Sequence, residues 1–221
     1  MEPAIVARGG FVDSYIGDAI MALFEVAPAS AVGAAVDMHR QLRPLNAQRV
    51  ARGLRPIHIG VGLNTGELTL GTIGGPQRIK CGVIGDCVNL ASRIESLTKH
   101  YGARVIIGDR TLAAVPAGAF VTRELDRVRV VGRLAPVVLH EVLDADEDDV
   151  RAAKVACRAD WEDGLARYGE GDLDRAGASF RRCVEAVPGD VAAAMRLRRC
   201  DRYLTAPRPD PWTDVEDLSE K

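Results

Sequence analysis

The 221-residue sequence predicts an α+β sandwich followed by a small helical unit. Three observations carry that prediction. Short runs rich in Val, Ile, Phe and Tyr come in pairs around Gly-containing corners, as hairpins do. Helical patterns interrupt them without the regular strand–helix alternation of a doubly wound sheet. After about residue 150 the periodicity is entirely helical.

Taken in order, "MEPAIVARGG" reads as a helix leading into "FVDSYIGDAIMALF", two strands at 11–16 and 19–24 around a Gly17-Asp18 corner. That corner sets one carboxylate, Asp18, at the tip of an apolar hairpin. Residues 28–52 have helical spacing, with Val32, Val36, Leu42 and Leu45 along one side; Pro44 is expected to kink or interrupt the helix. "PIHIGVGLNTGE", 56–67, alternates: Ile57, Ile59, Val61 and Leu63 face one way, and His58, Gly60, Gly62 and Asn64 the other. The small-residue face lets something approach that strand closely. Residues 68–85 read as a hairpin turning at Gly74-Gly75-Pro76, after which Asp86 is expected to cap a helix ending at Gly102. A strand at 104–108, a short helix at 109–115 and further strands run to Val142.

The acidic run "DADEDD", 144–149, reads as a solvated linker between a domain at 1–143 and helices at 150–204. Trp161, Leu165, Tyr168, Ala176, Phe180 and Pro188 have nearly the spacing of a tetratricopeptide helix pair, and a further helix follows at 190–204. A single such pair cannot build a solenoid, so it has to pack on the main domain or on a partner. The Pro-rich tail, 205–221, is expected to be irregular with Trp212 as an anchor.

Composition excludes several classes. Hydrophobic residues make up 47% and charged residues 27%, a globular balance, and the formal net charge of −2 gives no electrostatic reason for a nucleic-acid partner. Five cysteines with no CxxC pair argue against a zinc site or a disulfide framework and fit a reducing compartment. No signal peptide and no membrane segment is visible, so the chain reads as cytoplasmic.

The strongest local signal is "VIGDCVNLASRIE", residues 83–95. Asn89 and Arg93 are four apart and share a helix face, while Leu90, Ile94 and Leu97 form the apolar side. An amide beside a guanidinium, next to a Gly-rich strand end, suits a phosphate ester. From spacing alone, an ordinary solvated Asn and Arg on an amphipathic helix is the competing reading.

Three separated motifs in order, "GGFVDSYIGDAIMALF", "IGVGLNTGELTLGTIG" and "VIGDCVNLASRIESL", resemble the catalytic domain of the class III nucleotidyl cyclases, from about Gly9 to Val142. The resemblance implies a ferredoxin-like sandwich. It implies an adenylate or guanylate cyclase, which converts ATP or GTP to a 3′,5′-cyclic monophosphate and pyrophosphate. It implies two divalent cations, Mg²⁺ or Mn²⁺, held by two Asp, and a head-to-tail dimer with the site at its interface. Asp18 falls on the second metal-binding Asp, Asn89 on the ribose-orienting Asn and Arg93 on the transition-state Arg.

The sequence departs from the family pattern in three places. No segment corresponds to the strand with the first metal-binding Asp, so one metal ligand and the first strand of the sandwich are missing from this chain. Ser14 stands where a base-recognising Lys is usual, and Gly82 where an Asp or Thr completes base recognition. The resemblance implies a homodimer or a heterodimer with another cyclase domain, and the alternative is therefore an impaired cyclase that acts as the regulatory dimer partner of a complete one. Strand alternation turns Asp13 away from Ser14's face and argues against it as a substitute ligand. "GTIGGPQR" reads as a hairpin turn rather than a phosphate loop, and Cys81 and Cys87 as packing residues. His58 and His100 read as solvated or core-edge groups, and Arg196, Arg198, Arg199 and Arg202 as a solvated or acid-paired face.

Overall fold

The computed structural model describes residues 1–75, 78–130 and 135–218, with the backbone alone described over 72–75 and 78–81. Helix α1 (Glu2–Ala7) leads into the hairpin β1 (Gly10–Ile16) and β2 (Ala19–Phe24), followed by α2 (Pro28–Ala51). Next come β3 (Val61–Leu63), the hairpin β4 (Thr69–Gly75) and β5 (Arg78–Ile84), and α3 (Asp86–Tyr101). Then β6 (Val105–Gly108), α4 (Asp109–Ala113), β7 (Thr122–Val130) and β8 (Val137–Val142) complete the first part. Four helices follow, α5 (Asp148–Ala156), α6 (Arg158–Glu170), α7 (Leu173–Ala186) and α8 (Val191–Thr205), and a last strand, β9 (Val215–Leu218).

Among the described residues the strands form one five-stranded sheet, ordered β3-β6-β8-β7-β9, and two separate hairpins, β1-β2 and β4-β5. The period of two in β6 sorts its side chains between two layers. Val105 and Ile107 meet Val32, Ala35 and Val36 of α2, together with Val142 and Ala145. Ile106 faces the opposite layer, where Leu90 and Ile94 of α3 share one core with Leu125, Val128, Leu139, Trp161 and Phe180. The C-terminal helices therefore pack on the sheet, and α3 lies in the same layer as they do. Trp161 meets Phe180 edge to face at 5.4 Å between ring centroids, in the helix pair expected from the tetratricopeptide-like spacing.

Several sequence expectations need correction. Helix α2 runs through Pro44 without a break. Pro44 lies on the exposed side, and the helix beyond it is held by its neighbours: Asn46 exchanges two 2.8 Å hydrogen bonds with the backbone of Ile57, and Arg49 donates to the Arg55 carbonyl. The strand expected over 56–67 is confined to Val61–Leu63, because Asn46 takes the hydrogen bonds that a neighbouring strand would make at Ile57. Ile57 is consequently exposed.

The acidic run does not behave as a solvated linker. Leu143 and Ala145 are buried in a 3-10 turn, and Asp144 accepts from the Val121 N–H. Buried Asp146 accepts from Lys154 Nζ at 2.8 Å, and the same ammonium reaches Glu141 on β8 at 2.7 Å. Arg123 on β7 joins Glu141 to Asp190, both at 2.6 Å. Burying these charges is tolerable only because each is paired. The tail is likewise more ordered than its proline content suggests: β9 adds to the sheet parallel to β7, and Trp212 donates its indole N–H to the Tyr168 carbonyl. The tip of the expected Gly74-Gly75-Pro76 turn, from Pro76 on, and the Cys81 side chain lie outside the described residues.

Candidate active site

Helix α3 carries Asn89 and Arg93 on its outer face. Leu90 and Ile94 are buried beneath them, as the spacing predicted. Asn89 is exposed and Arg93 partly so, and no described residue bonds either side chain. A partly exposed arginine with no carboxylate partner among the described residues is a natural anion site. Asp86 is the first residue of α3 rather than its cap, which is Gly85. It still sits in the turn where a carboxylate interacts favourably with the helix dipole.

Two glycines fix how close α3 can come to β3. A Cβ built on Gly60 would run into the Thr98 side chain, and one on Gly62 into the Glu95 backbone N. The small-residue face read from "PIHIGVGLNTGE" is thus the seat of α3 itself. The first turn of α3 is pinned separately. Asn64 donates to the Cys87 carbonyl at 3.2 Å, and the Cys87 thiol donates to the Glu67 carbonyl at 3.0 Å. Cys87 is therefore buried and packed, as expected. His58 is exposed, and His100 stacks edge to face on Tyr101.

Asp18 stands at the tip of the β1–β2 hairpin, exposed, beside Gly17 with φ +64°. That left-handed conformation suits glycine and makes the corner tight. No described hydrogen bond or ion pair joins Asp18 to Asn89 or Arg93. Among the described residues no group of three His, Cys, Asp or Glu side chains converges on a point, so Asp18 is a single carboxylate rather than a complete metal centre.

Ser14, on β1, pairs with Met21 across the hairpin and is half-buried. The strict alternation invoked for Asp13 fails, because the register slips there: Val12 opposes Ala22 and Ser14 opposes Met21. Asp13 is the extra residue of a β-bulge, and Val12, Asp13 and Ser14 are all half-buried in consequence. Gly82 faces Gly71 across β4–β5, and a Cβ on Gly71 would meet nothing within 4 Å, which leaves a bare stretch of hairpin. Sequence reading missed the support of the far end of α3, where Tyr101 donates to Asp126 of β7 at 2.8 Å. The only sequence signal was the Arg196–Arg202 cluster, whose acid-paired reading holds for Arg196 and Arg199, both buried against Asp126.

Comparison with known proteins matches residues 14–142 to the adenylate and guanylate cyclase catalytic domain. The chain is 35% identical over 207 residues to the terminal-differentiation-specific adenylate cyclase of Dictyostelium discoideum, covering 90% of this chain and 10% of that protein. It is 40% identical over 149 residues to an adenylate cyclase of Anabaena cylindrica, covering 64% of this chain and 30% of that protein. It thus spans a third or less of these relatives' lengths. A share of 90% cannot be reached within residues 1–142, so the Dictyostelium match takes in C-terminal helices as well. Among solved structures, the guanylyl cyclase Cya2 is 36% identical with a TM-score of 0.52, covering 64% of this chain and 73% of that one. The adenylyl cyclase CyaB from P. aeruginosa is 28% identical with a TM-score of 0.56, covering 63% and 74%.

Proposed function

The chain belongs to the class III adenylate and guanylate cyclase catalytic family, and on that premise we propose that it converts a nucleoside triphosphate to a 3′,5′-cyclic monophosphate and pyrophosphate. The observation that carries the reading is the pair Asn89 and Arg93, unpartnered on the outer face of a helix seated by two glycines and pinned at its first turn. A side chain that must act on a transition state gains from a support that does not move. Arg93 offers a forked cation to the non-bridging oxygens of the α-phosphate, where negative charge builds as the ribose 3′-hydroxyl attacks. Asn89, one turn earlier on the same face, hydrogen-bonds the ribose and holds that hydroxyl in line.

Members of this family generally use divalent metals, which supply charge compensation on the phosphates. Asp18 is the residue of this chain that would ligate them. One carboxylate does not fit a two-ion centre, so further ligands have to come from outside the described residues. Asp18 lies on the hairpin and the Asn89–Arg93 pair on α3, with no described bond between them. We therefore place Asp18 of one protomer against α3 of another, in a two-fold dimer with two composite sites.

Ser14 and the bare Gly71–Gly82 rung leave little with which to read a base. Strong discrimination needs buried groups that only one base satisfies. ATP and GTP are accordingly expected to differ in kcat/KM by no more than about tenfold. Cyclic nucleotide formation with Mn²⁺ and either triphosphate, in native protein and in Asp18→Ala, tests the function. Product above the Asp18→Ala level is expected. A native rate equal to that variant's rules out catalysis at this site and leaves the chain a partner of a complete cyclase.

A further inference from the structure

The far end of α3 is tied to the C-terminal helices through one carboxylate. Asp126 lies in β7 where the register slips between Glu124 and Asp126. That bulge buries the consecutive residues Leu125 and Asp126, which strict alternation would have sent to opposite faces. Asp126 is fully buried, and each of its oxygens takes one hydrogen bond and one ion pair. Oδ1 accepts from the Arg127 N–H and is ion-paired with Arg196 Nη2, both at 2.8 Å. Oδ2 accepts from the Tyr101 hydroxyl at 2.8 Å and is ion-paired with Arg199 Nη1 at 2.9 Å.

Tyr101 is the last residue of α3, whereas Arg196 and Arg199 both belong to α8. Arg199 continues to Glu216 of β9, and Arg196 also donates to the Leu125 carbonyl at 2.8 Å. Next to Tyr101, Gly102 closes α3 at φ +64°, and a Cβ there would strike Val191 at the start of α8. Burial raises the Tyr101 phenol above its ordinary pKa, with the Asp126 charge the next cause, so the hydroxyl keeps the proton it donates.

We propose that Tyr101 is a positioning residue for Asn89 and Arg93, and that the C-terminal helices hold it in place through Asp126. The inference rests on the cyclase reading of α3. A helix is stiff along its axis, and Arg93 is two turns from Tyr101, about 12 Å at the usual rise per residue. A shift or tilt at Tyr101 is therefore delivered to Arg93 as a displacement of similar size. Misplacement of about 1 Å is enough to cost a positioned catalytic group up to about a hundredfold in rate. The helices after residue 147 thus become part of the scaffold of the site, though they contribute no residue to it.

Tyr101→Phe removes one hydroxyl and leaves both guanidinium groups on Asp126, so the fold should survive. In the full-length protein it should lower kcat roughly tenfold while KM stays within about twofold. Amide hydrogens of residues 88–95 should exchange about tenfold faster than in the native chain. Arg199→Gln, which loosens Asp126 without touching α3, should shift both readouts in the same direction. A Tyr101→Phe protein with native kcat, or with native exchange over 88–95, overturns the inference. If the native protein forms no cyclic nucleotide, the proposed function falls while the exchange measurement still decides whether Asp126 and Tyr101 hold α3.

Discussion

In the proposed reaction, Arg93 is the side chain on which the chemistry depends most. Arg93→Ala should lower cyclic nucleotide formation about 10²–10³-fold, the usual effect of removing a group aimed at transition-state charge. Its melting temperature should stay native, since no described residue bonds the guanidinium. The shared outer face of Asn89 and Arg93 was legible because helical spacing alone sets it, and the exposure of Asp18 because a Gly corner sets it; the roles assigned to them came from the family resemblance. The bulge at Asp13 was not legible: a one-residue slip leaves no compositional mark, and it defeats any argument from alternation. A second prediction concerns His39, buried on α2 against the Arg104 carbonyl. Desolvation, helped by the Arg104 charge, depresses its pKa from 6.5 to about 4. The unfolded chain then binds more protons between these values, so stability is full above pH 6.5 and is lost as the pH falls towards 4. The loss is on the order of 3 kcal/mol, since each tenfold weakening of proton binding corresponds to about 1.4 kcal/mol. His39→Gln keeps an N–H donor but cannot titrate, and thermal melts from pH 7 to pH 4.5 should fall less steeply in that variant.

At the scale of elements, the contact between β3 and α3 decides where Asn89 and Arg93 stand. Gly62→Ala places a methyl group against the Glu95 backbone, which cannot swing aside as a side chain can. The variant should lose about 1–3 kcal/mol of stability, as overpacked positions do. Its kcat should fall as well, because α3 has to move to make room; denaturant unfolding and product formation measure the two effects. The sequence showed that some element would sit against Gly60 and Gly62 but not which one, because a period of two reports a face and not its neighbour. It also over-extended the strand at 56–60, where Asn46, eleven residues before Ile57, supplies the hydrogen bonds. The acidic run misled for a related reason. Asp146 is paired with Lys154 on the next helix and Glu141 is paired with Arg123 across the sheet, and ion pairs of that kind have no local signature.

In the whole molecule, one core joins the cyclase-like part to the C-terminal helices, with Leu90 and Ile94 on one side and Trp161 and Phe180 on the other. Removing the residues after 146 should therefore unfold the remainder, read as loss of near-ultraviolet dichroism, rather than release an independent domain. The helical unit itself was readable from its spacing. Its union with the sheet was not, because buried pairs such as Arg123 with Asp190 connect residues 67 positions apart. In the proposed assembly the site is built from two protomers, with Asp18 on one and Asn89 and Arg93 on the other. The direct measurement mixes Asp18→Ala with Arg93→Ala, each inactive alone, and follows cyclic nucleotide formation. Random exchange makes half of the dimers mixed, each with one intact site of two, so activity should recover to about a quarter of native. A mixture no more active than either variant alone, under conditions where the native protein turns over, would contradict the account.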